Sequence, residues 1–309
     1  MKCFIEKIIR FAILCLLVIY SLIFYFEYRS YTCSHIDPYR QINEVYNSKN
    51  INADVLISGN SRADNSYNDS LLSQLLGVKC LKIAWSGYPF DYQYHVMIKT
   101  YLSQNSRPSY IIQEIGPWAF LDYYNPKYTI EMMPYLNRKE FNFLKTLCPE
   151  ISSNDKYRIV RYSGKLDNVI FQLACMEWKK WKPKFVSPNK SFNKNCFTTQ
   201  QPLECDSSII NTLIHFIKEC SNENIELIFV FSPMNIEYGQ KYFDLNGFWA
   251  IFNDISKTYK IKTLNYQNLF GSDTIYFTDP VHLNEAGRDC FTRQLAHDLD
   301  SLNIICRQN

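Results

Sequence analysis

"LISGNSRADNS", residues 56 to 66, sets a serine between an apolar run and a polar stretch suited to a helix. Val55, Leu56, Ile57, Ser58 and Gly59 read as a short buried strand ending at a glycine, and Asn and Ser are favoured at helix starts. The segment is a strand–turn–helix elbow. An elbow of this kind can lift a side-chain oxygen to the carboxyl edge of a parallel sheet, where ligands of open α/β sheets bind. Taken alone, the stretch leaves Ser61 between a capping or turn role and that of a nucleophile.

The alternation continues on both sides. A strand at about 53–58 leads through the elbow into a helix near 67–76, with Leu71, Leu72, Leu75 and Leu76 on one face and Gly77 at its end. "VKCLKIA" (78–84) is a second strand running into "WSGYPF" (85–90), a helix follows over 91–104, and "SYIIQEI" (109–115) is a third strand between Pro108 and Gly116. Three strand–helix alternations at this spacing predict right-handed βαβ units and a parallel sheet. The rhythm resumes with the amphipathic helix "SSIINTLIHFIKECS" (207–221), the strand "IELIFVFSP" (225–233), a helix over 246–258 and the edge strand "IKTLNY" (261–266). The last helix starts near Asn284 and carries Phe291, Leu295 and Leu299 at a spacing of four. The expected fold class is α/β, a three-layer α/β/α sandwich with a mainly parallel sheet of roughly five strands.

Residues 117–206 break the pattern with helical stretches, prolines and the basic aromatic segment "MEWKKWKPKFVSPNKSFNKN" (176–195). This reads as an insertion over the sheet edge rather than an independent domain. Its lysines suit an anionic glycan, a membrane surface or simply solvent. At the N-terminus, "FAILCLLVIYSLIFYF" (11–26) carries no charge. About 20 helical residues cross the roughly 30 Å hydrocarbon layer, a length this run reaches when Arg10 and Glu27 snorkel to the interfaces. Lys2, Lys7 and Arg10 precede it, which keeps the N-terminus cytoplasmic and the rest outside. A cleaved signal peptide is the competing reading, although "EYRSYTCSH" (27–35) offers no clear small-x-small site. The expected organisation is therefore a signal anchor over 1–30, single-pass in the cytoplasmic (inner) membrane, and an extracytoplasmic domain over 31–309. Residues 27–50, polar and aromatic without a strong period, read as a stalk packing onto the domain.

Composition narrows the classes. The 309 residues are 47% apolar without long low-complexity stretches, so a core can form. A formal charge of +3 gives no field for nucleic acid, and no nucleic-acid motif is present. Abundant Tyr and Phe suit sugar stacking or ordinary core. Of the 11 cysteines, Cys3 and Cys15 lie in or before the anchor and the others are irregularly spaced. A pairing of Cys196 with Cys205 is one option that spacing leaves open. No C-x-x-C pair or Cys/His cluster has zinc spacing, so no metal or other cofactor is expected.

A second decisive stretch is "YFTDPVHLNEAGRDCF" (276–291). Asp279 and His282 sit three apart in a loop just before the helix capped by Asn284. A carboxylate so placed can accept the imidazole Nδ1 proton and leave Nε2 facing a serine hydroxyl. A serine is a weak nucleophile at its own pKa, and a base oriented by a third group is the usual remedy. His35, His95, His215 and His297 lack any such partner pattern.

In these motifs the chain resembles the SGNH (GDSL-like) hydrolase superfamily. "GNSR" (59–62) is similar to its first block, with Asn60 where an aspartate is common; "WSGYPF" to its second; and "DPVHLNEAG" (279–287), the most specific, to its last. The likeness covers about 53–120 and 207–300. It implies a flavodoxin-like SGNH fold, Ser61, Asp279 and His282 as catalytic residues, and the backbone N–H groups of Ser61 and Gly87 as oxyanion hole. The third block departs: "EIGPWAF" (114–120) has Trp118 where the family has an asparagine. The indole could donate in its place or form an acyl-pocket wall. Asn60 and Arg62 are further candidates for substrate or oxyanion contact. Arg62 could equally anchor the elbow, and Glu114 could enter the site or pair with Arg62 or another cation.

The function implied is a membrane-anchored serine acyl-esterase or O-acyltransferase acting on ester-linked acyl groups of an envelope polysaccharide or, given the anchor, of a lipid. The alternative is a non-catalytic glycan-binding or assembly subunit docking on a membrane acyltransferase.

Overall fold

In the computed structural model of the protein, strand β1 (Val55–Gly59) lies between β2 (Cys80–Ala84) and β3 (Tyr110–Glu114), and β4 (Glu226–Phe231) and β5 (Lys262–Asn265) continue outward from β3. All four pairings are parallel. The structure describes residues 1–119, 130–139, 157–181, 192–193, 206–239 and 243–303; the Cys196–Cys205 pairing lies outside them. The order β2-β1-β3-β4-β5 reverses direction at β1, so the carboxyl ends of β1 and β3 form a topological switch point where open α/β sheets bind ligands.

Right-handed crossovers assign the two faces. The connection from β1 to β2, made by α3 (Ser61–Ser66) and α4 (Asp69–Leu76), runs opposite to all later ones. It shares its face with the last helix, α10 (Glu285–Ser301), around Val55, Ile57, Tyr67, Leu72, Ile228 and Phe291. The opposite face carries α5, whose ends Phe90–Tyr92 and Lys99–Leu102 flank a π-helical stretch Gln93–Ile98, with α8 (Ser207–Asn222) and α9 (Leu245–Tyr259). There Phe216 of α8 meets Phe90 and Tyr94 of α5, while Phe229 and Phe231 of β4 meet Phe252 and Phe248 of α9.

The helix expected near 67–76 is α4, and the elbow before it carries a separate short helix, α3. Tyr67 and Asn68 adopt extended backbone, and the Asn68 side chain accepts the Leu71 N–H to start α4 afresh. A short antiparallel ribbon, β6 (Phe277–Asp279) with β7 (His282–Leu283), was not foreseen.

The chain divides into two compact units, one of residues 1–44 and 126–185, the other of 45–125 and 186–309. The sheet belongs to the second. The first contains α1 (Lys2–Thr32), the start of α2 (Tyr39–Tyr46), α6 (Arg158–Arg161) and α7 (Leu166–Trp181). By length and composition α1 is long and apolar enough to cross a membrane. Its last turns pack within this unit: Ile23, Phe26, Glu27 and Ser30 form a buried helical stripe. Phe26 packs edge-on against Tyr39 and Tyr162, and Glu27 pairs with Arg161 at 3.1 Å. The Tyr135 hydroxyl donates to the Ser30 carbonyl and the Asn43 side-chain oxygen. The helical period escaped the sequence because Glu27 and Ser30 occupy the buried face with polar partners.

Candidate active site

The elbow forms because Gly59 carries no side chain. A Cβ there would stand 2.6 Å from the Cβ of Ala63 and 2.8 Å from that of Glu114, so any other residue would push α3 off β3. Asn60 then caps α3, its side-chain oxygen accepting the Arg62 N–H at 3.0 Å. Ser61, the first helical residue, is half-buried at the carboxyl end of β1.

The β6–β7 ribbon sets Asp279 opposite His282. Asp279 Oδ1 accepts the backbone N–H groups of Val281 and His282, each at 3.0 Å, which fixes the carboxylate within its own turn. His282 Nδ1 lies 2.8 and 3.0 Å from the two carboxylate oxygens, and Nε2 lies 2.8 Å from Ser61 Oγ. A carboxylate only accepts, so Nδ1 holds the imidazole proton and Nε2 is free to accept from the serine hydroxyl. Burial alone pushes the Asp279 carboxyl up. The hydrogen bond and charge of His282, with the two backbone N–H groups, outweigh it and hold the group below the ordinary carboxylate range.

Gly87 is the third residue of a turn closed by Tyr88 N–H to Trp85 O at 3.3 Å, and its φ of +79° favours glycine. The Trp85 N–H donates to the Gly59 carbonyl at 2.9 Å, which lays this turn beside the elbow. The Trp85 ring stacks on Tyr88 at 4.0 Å and stiffens the approach.

Arg62 and Trp118 pack on each other beside the carboxyl end of β3. Arg62 is 1% exposed. Its Nε donates to Glu114 Oε1 at 2.9 Å, one terminal nitrogen to the Val281 carbonyl at 2.9 Å, and the other to the carbonyl and hydroxyl of Ser232 at 2.5 and 2.9 Å. Ser232 Oγ also donates to Glu114 Oε1 at 3.0 Å. Burial pushes the Glu114 carboxyl up and the Arg62 guanidinium down, and each is drawn back by the other. Trp118 folds over Gly116, whose missing Cβ would stand 2.0 Å from the indole ring. The same ring covers the Arg62 guanidinium at 4.2 Å, a cation–π contact. Its N–H is buried without a well-aligned partner and draws the Glu114 carboxyl back down against the upward push of burial. Asn60 likewise commits its side-chain oxygen to the cap.

Sequence reasoning left Ser232 unnamed. The only signal was "FSP" (231–233), a hydroxyl at the carboxyl end of an apolar strand. Of the other histidines of the sheet unit, His95 and His215 pack on Tyr94 and exposed His297 faces Asp298; in the first unit His35 Nε2 meets the Met176 carbonyl.

No protein-family profile matches the chain, and no curated protein sequence does. Among solved structures it is similar to TesA, with a TM-score of 0.43, 10% identity and coverage of 80% of this chain and 98% of that one. A GDSL-like lipase from Bacteroides thetaiotaomicron VPI-5482 gives a TM-score of 0.39 at 11% identity, covering 80% and 88%. An acetyl xylan esterase gives 0.41 at 12%, covering 80% and 100%.

Proposed function

We propose that the chain is a membrane-anchored serine ester hydrolase or O-acyltransferase of SGNH type, with Ser61 as nucleophile, His282 as general base and acid, and Asp279 as the group that orients it. The observation that carries this reading is the relay from Asp279 to His282 Nδ1 at 2.8 Å and from His282 Nε2 to Ser61 Oγ at 2.8 Å. Ser61 Oγ attacks the ester carbonyl as its proton passes to Nε2. The oxyanion faces the backbone N–H groups of Ser61 and Gly87. Collapse returns the proton from Nε2 to the departing alkoxide and leaves acyl-Ser61. A water or sugar hydroxyl then gives its proton to Nε2 and takes the acyl group, and Ser61 is restored.

Acyl groups on an envelope polysaccharide are the proposed substrate, with α1 as the anchor and the sheet unit outside the cytoplasmic membrane. Whether water or a sugar accepts the acyl group depends on which acceptor is positioned and whether water is excluded. Incubating full-length protein in detergent with an acetylated polysaccharide, with and without a free sugar acceptor, tests the reading. Release of acetate or its transfer to the sugar supports it. If neither occurs and Ser61 resists serine-directed reagents, the chain is instead a non-catalytic subunit that retains the fold.

A further inference from the structure

Helix α7 (Leu166–Trp181) buries one apolar side and leaves large apolar residues exposed on another. Val169, Leu173 and Met176 face inward and are buried. On the other side Ile170, Phe171 and Trp178 are 55%, 64% and 67% exposed, and Phe171, Ala174 and Trp178 repeat at helical spacing along one exposed stripe. An exposed apolar stripe of this kind marks an interaction surface. The neighbouring helix α6 adds exposed Ile159 and Val160.

The level at which this segment meets α1 identifies the missing cover. Tyr162, just before α7, packs its ring on Phe26 at 5.8 Å, and Glu177, near the far end of α7, accepts from Arg29 Nε at 2.7 Å and from the Tyr25 hydroxyl at 3.5 Å. Both ends of the α6–α7 segment therefore return to residues 25–29 of α1. That level directly follows the exposed apolar run that includes Ile13, Leu14, Leu16, Leu17, Val18 and Phe24. With about 20 helical residues needed to cross the hydrocarbon layer, residues 25–29 fall at its boundary. Exposed Tyr25, Tyr28 and Trp178 are the residue types enriched at that depth.

We propose that α7 is an interfacial helix whose Ile170–Phe171–Trp178 face is seated in the outer boundary of the same bilayer that α1 spans, so that the first unit rests on the lipid surface instead of swinging from a tether. This rests on the reading of α1 as a membrane anchor. An amphipathic helix gains binding free energy in proportion to the apolar area it seats in the headgroup–acyl boundary. Held by two helices, this unit is fixed in height above the membrane.

The test places a photoreactive benzoylphenylalanine at position 171 or, in a second variant, at exposed position 174, with position 14 in α1 as reference, in the full chain reconstituted into phosphatidylethanolamine–phosphatidylglycerol nanodiscs. After irradiation, a mass increase of one phospholipid at 14 and at either 171 or 174 is expected. Lipid adducts at 14 alone overturn the proposal while leaving the anchor intact. Adducts from 171 and 174 to a second protein copy overturn it in favour of a protein interface. Absence of lipid adducts at all three positions overturns both readings.

Discussion

The guanidinium of Arg62 donates to the carbonyl of Val281 at 2.9 Å, so the residue after the serine holds the residue before the histidine. The same side chain reaches Glu114 at the end of β3 and Ser232 just after β4, tying three sheet-edge positions to the His282 turn. The 2.8 Å approach of Ser61 to His282 rests on this buried bracket rather than on the two loops alone.

Removing one partner of a buried ion pair leaves the other uncompensated, which typically costs about 3–5 kcal/mol. Arg62→Ala is expected to fall in that range by urea unfolding. Arg62→Lys, which keeps the charge but loses the fork that reaches Val281 and Ser232, should lose less stability and still show a clear fall in kcat. An Arg62→Lys variant with parental kcat would separate the bracket from the site.

Ser61→Ala and His282→Ala should each lower acyl-transfer or hydrolysis rates by roughly 10⁴-fold or more, and the double variant should be little worse than either, because such residues act as a unit. Both side chains are only half-buried, so the unfolding midpoints should stay near the parent's. Multiplying losses in the double variant would argue against a shared relay.

Asp279 supplies a pH signature. Its folded-state pKa is depressed, so its contribution to stability is present above the unfolded value of about 3.9 and is lost as pH falls through the folded value. Unfolding midpoints of the parent and Asp279→Asn should differ most near neutrality and converge below about pH 3.9. A gap that is unchanged down to the lowest pH at which both remain folded would mean that the carboxylate is not the source.

How much of this was legible in the sequence differed by residue. Ser61, Asp279 and His282 were readable because each sits in a local motif with its own backbone logic, a capped elbow and an Asp-x-x-His turn. The sheet was readable because its central strands are dominated by buried apolar residues, Val55–Ile57 in β1 and Leu227–Phe231 in β4. Arg62 was legible in part: its anchoring of the elbow and its pairing with Glu114 were open readings, but its backbone acceptors, the carbonyls of Val281 and Ser232, carry no residue identity. The end of α1 was hidden for the opposite reason, polar side chains buried where a hydropathy period expects apolar ones. At Trp118 the sequence left the direction of the ring open, and Gly116 and Arg62 decide it.

That direction has its own consequence. With the ring lying on Gly116 and Arg62, Trp118→Phe should leave kcat near the parent and lower the unfolding midpoint modestly, since a cation–π contact is worth about 0.5–2 kcal/mol. Trp118→Asn should lose more stability without a gain in rate. A selective fall in kcat in the Phe variant would mean that the indole N–H serves the oxyanion after all.

The most direct measurement is covalent labelling of the full-length protein in detergent by a fluorophosphonate, read by peptide mass mapping. A single adduct on Ser61 is expected, absent from Ser61→Ala and strongly slowed in His282→Ala, because only a serine activated by its neighbouring base attacks phosphorus readily. An adduct at another residue, or a parent protein labelled no faster than Ser61→Ala, would contradict the assignment of Ser61 as nucleophile.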